Sequence, residues 1–359
     1  MNKKISVGIL GATGMVGQRF VTLLANHPWF EIIKIAASPS SAGKLYKETV
    51  QDRWLISEKI PASISNIKLL SVQNSIDEIA KEVRIVFSAL DMDKNEIKKI
   101  EEEYAKKGVF VVSNNSAHRW TPDVPMIIPE INPHHLKVIP YQRKKRGWKK
   151  GGIIVKSNCS IQSYVPILEA WKKFEPIKVI VTTQQALSGA GKTFKSWPEM
   201  IDNVIPFIAG EEEKSEMEPM KIWGTIKNGE IKSAQLPVIS ATCIRVAASD
   251  GHMASVSVKF KKKVTAQKLI QALRKYKNPI EKLQLPSSPK QFLTYFEEDS
   301  RPQSKLDRNL YGGMGISVGR IRPDSILDFK FVALSHNTIR GAAGGAVLAA
   351  ELAISKNLI

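Results

Sequence analysis

One of the two cysteines of the chain lies in a setting that favours nucleophilic chemistry. Cys159 lies in a polar quartet, residues 157–160, which follows a predicted strand at 153–156 and precedes a predicted helix. The dipole of such a helix favours the thiolate, which is the reactive form of cysteine. Cys243 lies inside a strand-like run, where a small buried residue is expected. We therefore predict that Cys159 is a nucleophile and that Cys243 is structural.

The histidines alone do not identify the proton-transfer partner that such a cysteine needs. Six are present, and His252 follows a turn sequence at 249–251 between two strand-like runs. A histidine in a hairpin turn is commonly a surface residue, so this position is no evidence of a role. His134 and His135 are adjacent, but no further His, Cys or Asp spacing supports a zinc site, and no metal is predicted.

Residues 188–194, SGAGKTF, look like part of the phosphate-binding loop of nucleotide triphosphatases. That loop has a glycine, four residues, a second glycine, and then Lys followed by Ser or Thr. The second half of this pattern fits, but Ala186 occupies the first glycine position. Pro198 would also interrupt the helix that must follow the lysine. ATP hydrolysis is therefore not predicted, and the glycines need another reason.

The start of the chain has the pattern of a dinucleotide-binding site. A predicted strand at 5–10 leads into a turn with Gly11, Gly14 and Gly17, and helical periodicity follows at 18–27. In this context glycines let backbone N–H groups approach a pyrophosphate at the helix start. A tight turn without a ligand is the alternative that the spacing leaves open.

The end of the second predicted strand, residues 32–37, favours NADP over NAD. An NAD site usually places an acidic residue there, against the ribose hydroxyls. The nearest acid, Glu31, lies at the strand's entry, whereas Ser38, Ser41 and Lys44 follow its exit. Hydroxyl groups and an ammonium group suit the 2′-phosphate of NADP.

The alternation of strands and helices predicts an α/β fold. Further strands are predicted at 84–90 and 109–113, with a helix at 95–107 between them. This order is typical of a doubly wound parallel sheet, which binds ligands at the carboxyl ends of its strands. Ser88 and residues 113–116 fall at those ends.

Length and composition indicate a globular enzyme. The 359 residues suggest two domains, and 43% hydrophobic with 24% charged residues is ordinary globular composition. No apolar run approaches the ~20 residues of a membrane span. Glycines break the apolar N-terminal stretch, so it is interpreted as a strand and not as a targeting segment. Two cysteines far apart agree with a reducing, cytoplasmic location.

The formal net charge of +19 has three interpretations. The basic cluster at 141–150, with its aromatic residues, could bind nucleic acid, form a solvated loop, or contribute to a field that attracts small polyanions. Because lysines are spread along the whole chain, we favour the solvated loop and predict no nucleic-acid partner.

Motifs along nearly the whole chain resemble the aspartate-β-semialdehyde dehydrogenase family, in its archaeal and fungal branch. They are GATGMVGQRF near the start, SNNSAHR at 113–119, SNCS at 157–160, QALSGAG at 185–191, EEEK at 211–214, RVAASDGH at 245–252, RPQ at 301–303 and HNTIRGAAG at 336–344. The resemblance implies NADPH-dependent reduction of aspartyl-β-phosphate to aspartate semialdehyde through a cysteine thioester, in the biosynthesis of lysine, threonine, methionine and isoleucine. It also puts the loop at 188–194 beside the nicotinamide, where glycines allow close backbone approach.

The resemblance assigns catalytic roles to three residues. Cys159 would form the thioester, His252 would be the general acid and base, and Gln185 would orient the substrate or acyl-enzyme. Arg245 would bind the substrate α-carboxylate. It lies seven residues before His252, so the two side chains would face the same way only if the strand bulges or bends.

Five further residues would complete the substrate site in this family. Glu211 would bind the α-ammonium group, and Asn158 would help to define the carbonyl site. Lys214, Arg119 and Asn114 would bind the phosphate, whose charge suits Lys and Arg. The residues predicted to contact NADP are Gly11, Thr13, Gly14, Met15, Val16, Ser38, Ser41, Ser88, Ser188, Gly189, Gly191 and Asn337.

The resemblance also implies the domain organisation and the partners. An NADP-binding Rossmann domain would span residues 1–157 and be completed by a C-terminal helix at 337–359. Residues 158–336 would form an α/β catalytic and dimerisation domain. The partners would be the small-molecule substrate, inorganic phosphate and further copies of the chain, in a homodimer or homotetramer, with no membrane.

Two related activities are the nearest alternatives. Malonyl-CoA reductase shares this scaffold in some archaea, but its substrate lacks an amino group, so a pair such as Glu211 and Lys214 is not expected there. N-acetylglutamyl-phosphate reductase has similar chemistry but acts on a blocked amino group. The EEEK run therefore favours the aspartyl substrate.

Overall fold

The computed structural model describes residues 4–359, and the first three residues of the predicted N-terminal domain lie outside them. The elements of the first half are β1 (Ile5–Leu10), α1 (Met15–Leu24), β2 (Phe30–Ala37), α2 (Tyr46–Val50), α3 (Ala62–Ser65), β3 (Leu70–Ser71), α4 (Ile76–Glu82), β4 (Ile85–Ser88), α5 (Lys94–Lys106), β5 (Phe110–Ser113), β6 (Met126–Ile127), α6 (Ile139–Arg146) and β7 (Gly152–Lys156). Within the described residues these strands form one seven-stranded parallel sheet, in the order β3-β2-β1-β4-β5-β7-β6.

Helices cover both faces of this sheet. Phe20 of α1 and Tyr46 of α2 belong to one buried apolar cluster, whereas Ile79 of α4 and Ile97 of α5 belong to a second one. Residues 7–10 of β1 are all buried, and because strands alternate their side chains between faces, both faces of the sheet are covered there. The predicted doubly wound Rossmann sheet is confirmed.

The second half forms a mixed sheet. Its elements are α7 (Val165–Ala170), β8 (Pro176–Gln185), β9 (Val204–Ile205), α8 (Glu211–Ile222), β10 (Thr225–Lys227), β11 (Glu230–Lys232), β12 (Val238–Val246), β13 (His252–Phe260), α9 (Ala266–Arg274), β14 (Leu293–Phe296), α10 (Ser304–Asp307), β15 (Ile316–Pro323), β16 (Phe329–Ser335) and α11 (Gly344–Ser355). Within residues 4–359 the strand order is β14-β15-β16-β13-β8-β12-β9, with β10 and β11 as a separate antiparallel pair.

One face of the mixed sheet is packed and the other is open. On β8, Val179 and Val181 are buried in the core, whereas Ile180 between them is 50% exposed. On the neighbouring strand β12, Val238 is 61% exposed. Exposed apolar side chains on one sheet face are typical of a protein–protein contact surface.

The last helix returns to the first sheet. It contacts β5 and β7, and its apolar residues belong to the same cluster as Phe20 of α1. It is buried nearly all round because Ala, Val and Leu occupy all of its faces, as expected of a helix inside a core. A π-turn at Ile339–Ala343 precedes it.

A buried ion pair anchors that turn. The guanidinium of Arg340 donates to both carboxylate oxygens of Glu130, at 2.6 and 2.5 Å, and both side chains are almost fully buried. The Arg340 guanidinium also lies 4.8 Å from the ring centroid of Phe292. The pair joins the turn before α11 to the loop after β6.

Replacing Glu130 by alanine should lower the free energy of unfolding by about 3–5 kcal/mol, because it leaves a buried guanidinium without its partner. Urea denaturation of the two proteins measures the difference. The matched control is Glu297→Ala, which removes an exposed ion pair with Arg274 and should change stability little. Equal, small effects of both substitutions would contradict the argument.

The basic cluster is a helix and not the predicted loop. Residues up to Arg146 lie in α6, which ends at Gly147 in a left-handed conformation. Arg146 pairs with Asp123 and Glu102, and Arg143 donates to backbone carbonyls. Two of the cations of this cluster are therefore paired within the fold.

Among the helices of residues 4–359, none has the length and apolar character that a membrane span requires.

Candidate active site

Three neighbouring strands bring together two predicted catalytic residues, Gln185 and His252, and the predicted substrate-binding residue Arg245. Strands β8 and β12 are parallel and end at the same edge, where the antiparallel β13 begins. Gln185 ends β8, Arg245 lies beside it on β12, and His252 begins β13. The hairpin predicted around residues 249–251 is wrong, because β8 separates β12 from β13. Arg245 and His252 converge from different strands, so their spacing needs no bulge.

Ala186, the residue after β8, is held from both sides. Its N–H donates to Nδ1 of His252 at 3.0 Å, and its carbonyl accepts from Nη1 of Arg245 at 2.7 Å. Gly189 packs against the same two side chains. A Cβ on Gly189 would lie 3.0 Å from Nε2 of His252 and 3.1 Å from Nη1 of Arg245. This close packing explains why Gly189 is a glycine without a phosphate-binding loop.

The hydrogen bond from Ala186 fixes the tautomer of His252. A backbone N–H can only donate, so Nδ1 is the acceptor and the neutral ring carries its proton on Nε2. Nε2 is buried and has no hydrogen-bond partner among residues 4–359. Burial, together with the positive charge of Arg245, lowers the pKa of His252 to about 3. The ring is thus a neutral donor, and it lacks the free nitrogen that a general base needs.

Cys159 lies between β7 and α7 and keeps partial solvent exposure. The predicted helix does not begin directly after it, because a single 3-10 turn, Ser160–Gln162, intervenes and α7 begins only at Val165. Gly341 of the π-turn packs so closely that a Cβ there would lie 2.7 Å from the Cβ of Cys159. The turn before α11 therefore forms one wall of the cysteine's site.

The prediction that the helix dipole favours the thiolate is wrong for the ligand-free protein. Burial, with the Glu211 carboxylate, raises the pKa of the Cys159 thiol to about 12, although Arg119, Lys156 and Arg245 act in the opposite direction. The short turn after the cysteine has too few aligned peptides to offset this loss of hydration.

Alkylation of Cys159 by iodoacetamide should therefore accelerate about tenfold per pH unit from pH 7 to pH 10, without a plateau. The thiolate is the reactive form, and its fraction rises with pH as long as the pH stays below the pKa. Peptide mass spectrometry of the ligand-free protein, with Cys159→Ser as the control, measures the rate at this site. A plateau of the alkylation rate below pH 9 would mean that the pKa of the Cys159 thiol is lower.

Glu211 begins α8 and lies against the residue before the cysteine. Its two oxygens accept from Nδ2 of Asn158 at 3.0 and 2.9 Å, and Oε1 also accepts from Nζ of Lys214 at 2.8 Å. Burial opposes ionisation, but Lys214, Asn158 and Gln185 hold the pKa of Glu211 below its ordinary value. Despite its surface-like composition, the EEEK run thus contributes a buried, ionised carboxylate to the site.

Arg119 and Asn114 adjoin this group from the first sheet. Nε of Arg119 donates to the carbonyl of Lys156 at 3.0 Å, and Nη2 donates to the carbonyl of Asn114 at 3.4 Å. Nη1 donates to Glu218 at 2.8 Å. Sequence reasoning missed Glu218, although its position seven residues after Glu211 puts the two carboxylates on one face of a helix.

The glycine turn after β1 has the geometry of an anion site. Gly14 is the N-cap of α1, and no side chain caps the free N–H groups of the first turn. Gly11 has a φ of +80°, and a Cβ there would lie 2.4 Å from a carbonyl oxygen at the end of β4. Gly14 is exposed, while Thr13 and Val16 are partly exposed. The uncapped helix start suits a pyrophosphate.

Several other side chains predicted to contact NADP already have protein partners. Ser88 accepts from Asn115 at 3.1 Å, and Ser188 accepts from Asn337 at 2.7 Å. Ser41 is buried. A sequence locates a residue at a strand end but does not give the direction of its side chain. Cofactor contacts through these groups stay a prediction.

The exit of β2 does present hydroxyl groups to solvent. Ser38 and Ser40 are exposed, and their Oγ atoms lie 3.0 Å apart. Lys44 is exposed nearby in sequence. Ser40 was not singled out from the sequence, although it lies in the same short serine-rich run. The groups suit a phosphate better than a pair of ribose hydroxyls.

A cleft of about 730 Å³ lies between the start of α1 and the loop after β8. Met15 of α1 lines it on one side, and Ser188 and Thr193 line it on the other, with Thr338 also on its wall. Gly189 and Gly191 of the same loop are exposed. The start of α1 and the loop after β8 therefore face one space.

Of the two adjacent histidines, the buried His135 has structural hydrogen-bond partners. Nε2 of His135 contacts the carbonyl of Gly224 at 2.9 Å, and Nδ1 lies 3.0 Å from Nδ2 of Asn132. In the part of the chain that the structure describes, no group of three or more His, Cys, Asp or Glu side chains could hold a metal ion.

Both halves of the chain match known family models. The description "Semialdehyde dehydrogenase, NAD binding domain" matches residues 6–139, and "Semialdehyde dehydrogenase, dimerisation domain" matches residues 166–340. The second match points to an oligomer.

Full-length relatives agree with these matches. Aspartate-semialdehyde dehydrogenases of Aspergillus fumigatus and Archaeoglobus fulgidus are each 42% identical, over 99% of this chain and 99% and 100% of theirs. A crystal structure of aspartate semialdehyde dehydrogenase with NADP from Candida albicans is 38% identical, with a TM-score of 0.89 over 99% of this chain and 100% of that chain. As the motifs predict, the chain belongs to the aspartate-semialdehyde dehydrogenase family.

Proposed function

We propose that the protein reduces L-aspartyl-4-phosphate to L-aspartate 4-semialdehyde with NADPH and releases inorganic phosphate, in the biosynthesis of lysine, threonine, methionine and isoleucine. The observation that carries this proposal is the buried, ionised Glu211 beside Asn158 and Lys214, next to Cys159. A carboxylate there suits the ammonium group of an aspartyl substrate. Family membership and the fungal and archaeal relatives support the same reaction.

NADP is the cofactor that the first domain fits best. The uncapped start of α1 and the exposed Gly14 suit its pyrophosphate. Ser38, Ser40 and Lys44 suit its 2′-phosphate, and the relative from Candida albicans carries NADP. When bound, NADPH supplies the hydride that reduces the acyl group to the aldehyde.

In the proposed acyl transfer, Cys159 acts without a base of its own. Its Sγ attacks the acyl carbon, a carbon–sulfur bond forms, and the carbon–oxygen bond to the phosphate breaks. The departing phosphate takes the thiol proton, which suits a thiol with a raised pKa. After reduction the carbon–sulfur bond breaks, and the thiolate takes a proton from solvent.

The surrounding side chains hold the substrate and its developing charge. Nε2–H of His252 donates to the oxyanion that forms at the acyl carbon. Arg245 binds the α-carboxylate, which its planar guanidinium suits. Lys214 and Arg119 bind the phosphate. His252 thus takes the donor half of the predicted acid–base role.

Assembly, location and domain division are further parts of the proposal. The exposed apolar face around Ile180 and Val238 supports a homodimer, from which a tetramer can be built. Two unpaired cysteines support a reducing, cytoplasmic location. The contacts of α11 with β5 and β7 favour a first domain of residues 1–157 completed by 337–359, and a second domain of 158–336.

The test is the reduction of NADP by aspartate semialdehyde, with and without inorganic phosphate, run beside NADPH oxidation by malonyl-CoA. We expect phosphate-dependent activity with the semialdehyde and none with malonyl-CoA. Turnover of malonyl-CoA alone would keep the cysteine chemistry but would remove the roles proposed for Glu211 and Lys214. The curated relatives do not favour that alternative.

A further inference from the structure

Glu218 is a buried carboxylate that the proposed mechanism does not use. It lies on α8, about two turns after Glu211, and its side chain is fully buried. A buried carboxylate has lost its hydration and must be compensated by hydrogen bonds or ion pairs. Its partners therefore indicate what it holds in place.

Each oxygen of Glu218 has a different partner. Oε1 accepts from Nη1 of Arg119 at 2.8 Å, and Oε2 accepts from the backbone N–H of Asn158 at 2.5 Å. Asn158 directly precedes Cys159 in the chain. One carboxylate thus joins a cation proposed to bind phosphate to the backbone that carries the nucleophile.

The contact with Glu218 is the strongest of those that orient Arg119. The other two acceptors are the carbonyls of Lys156, at 3.0 Å, and Asn114, at the long distance of 3.4 Å. A charge-assisted hydrogen bond is shorter and stronger than a bond to a neutral carbonyl. A guanidinium has five N–H donors, so two of them remain for a ligand when these three bonds are made.

Helix α8 holds the backbone around Cys159 at several points. Glu211 accepts from the side chain of Asn158, and Oγ of Ser215 lies 3.2 Å from Oγ of Ser160. Ser215 lies between Glu211 and Glu218 on the same face of the helix. Two residues of α8 extend these contacts to Arg119: Nζ of Lys221 donates to its backbone carbonyl at 2.6 Å, and Glu218 accepts from its guanidinium. Glu218 is thus the residue of the helix that contacts the charged group of Arg119.

We propose that Glu218 is a positioning residue for the reaction, which aligns Arg119 with the phosphate of the substrate while it fixes the backbone at the nucleophile. This proposal rests on the proposed function, because it needs Arg119 at the phosphate. It predicts that Glu218 acts on phosphate binding more than on binding of the aldehyde substrate.

The test is Glu218→Gln, assayed as phosphate-dependent reduction of NADP by aspartate semialdehyde. A glutamine can accept one of the two hydrogen bonds, but its NH2 group then opposes the donor of the other partner. We expect the KM for phosphate to rise about tenfold, which corresponds to one lost charge-assisted bond. The KM for the semialdehyde should stay within about twofold.

The direction in which the KM for phosphate changes distinguishes a positioning role of Glu218 from a simple effect of its charge. If Glu218 only neutralised Arg119, its removal would strengthen anion binding and lower the KM for phosphate. In that case Glu218→Asp, which keeps the charge, would behave like the native protein. Aspartate is one methylene shorter and cannot span both partners, so positioning predicts a raised KM for phosphate in this variant too.

Glu213→Gln is the matched control, because Glu213 lies exposed on the same helix and should leave both KM values unchanged. NADPH binding, followed by fluorescence, checks that each variant is folded; should Glu218→Gln fail this check, Glu218→Asp carries the test. A KM for phosphate that is unchanged or lower in the folded variant overturns the role of Glu218. Absence of phosphate-dependent activity in the native protein overturns the proposed function itself, and this proposal with it.

Discussion

Replacing Cys159 by serine should lower kcat for phosphate-dependent oxidation of aspartate semialdehyde by about 1,000-fold or more. Serine has nearly the same shape, but its hydroxyl is a far weaker nucleophile than a thiol, and the oxygen ester that it would form is less reactive than a thioester. The other cysteine, Cys243, is buried in β12, so its thiol is not available to replace that of Cys159. Initial-rate measurements with NADP as the acceptor measure the loss.

Cys243→Ser is the control for this substitution. Its Sγ lies 3.7 Å from Oγ of Ser215, so a hydroxyl there finds a partner and the change should leave kcat nearly unaffected. NADPH should bind Cys159→Ser about as tightly as the native protein, because the start of α1 is untouched. Appreciable turnover by Cys159→Ser would exclude the thioester mechanism.

The fold could be predicted from the sequence because its signals are local. A parallel sheet is predicted by the glycine turn after β1 and by the alternation of the apolar runs of β4, β5 and β7 with helices. Errors at the element ends have local causes. For example, the predicted helix at 18–27 begins at Met15, because Gly14 serves as its N-cap.

The site could be predicted only in part, because its geometry depends on strand order. Arg245 and His252 are seven residues apart, yet they lie on strands that are not neighbours, and no spacing rule reveals that β8 runs between them. The pKa values of Cys159 and His252 depend on burial, which motifs do not report. Glu218 was missed because a carboxylate in an acidic helix is ordinary surface composition until its partners are known.

The geometry of His252 leads to a second large effect, which depends on the replacement chosen. His252→Ala removes the proposed donor to the oxyanion and should lower kcat by about 100- to 1,000-fold. His252→Gln should lose much less, because the glutamine amide reaches about as far as the ring and can still donate an N–H. Rates of NADP reduction at saturating substrate compare the two variants.

The comparison separates a donor from a base. Glutamine cannot take up a proton at neutral pH, so if His252 were the general base, the glutamine variant would be as inactive as the alanine variant.

The pH dependence of kcat/KM gives an independent criterion. With a pKa of about 3, the ring of ligand-free His252 is neutral throughout pH 5–9, because a histidine is charged only below its pKa. Between pH 5 and pH 9, any ionisation in the kcat/KM profile of the native protein should therefore also be present in the profile of His252→Gln. An ionisation near pH 6–7 in the kcat/KM profile that is absent from His252→Gln would instead identify His252 as the general base. Nδ1 would then have to give up its hydrogen bond from Ala186 during the reaction.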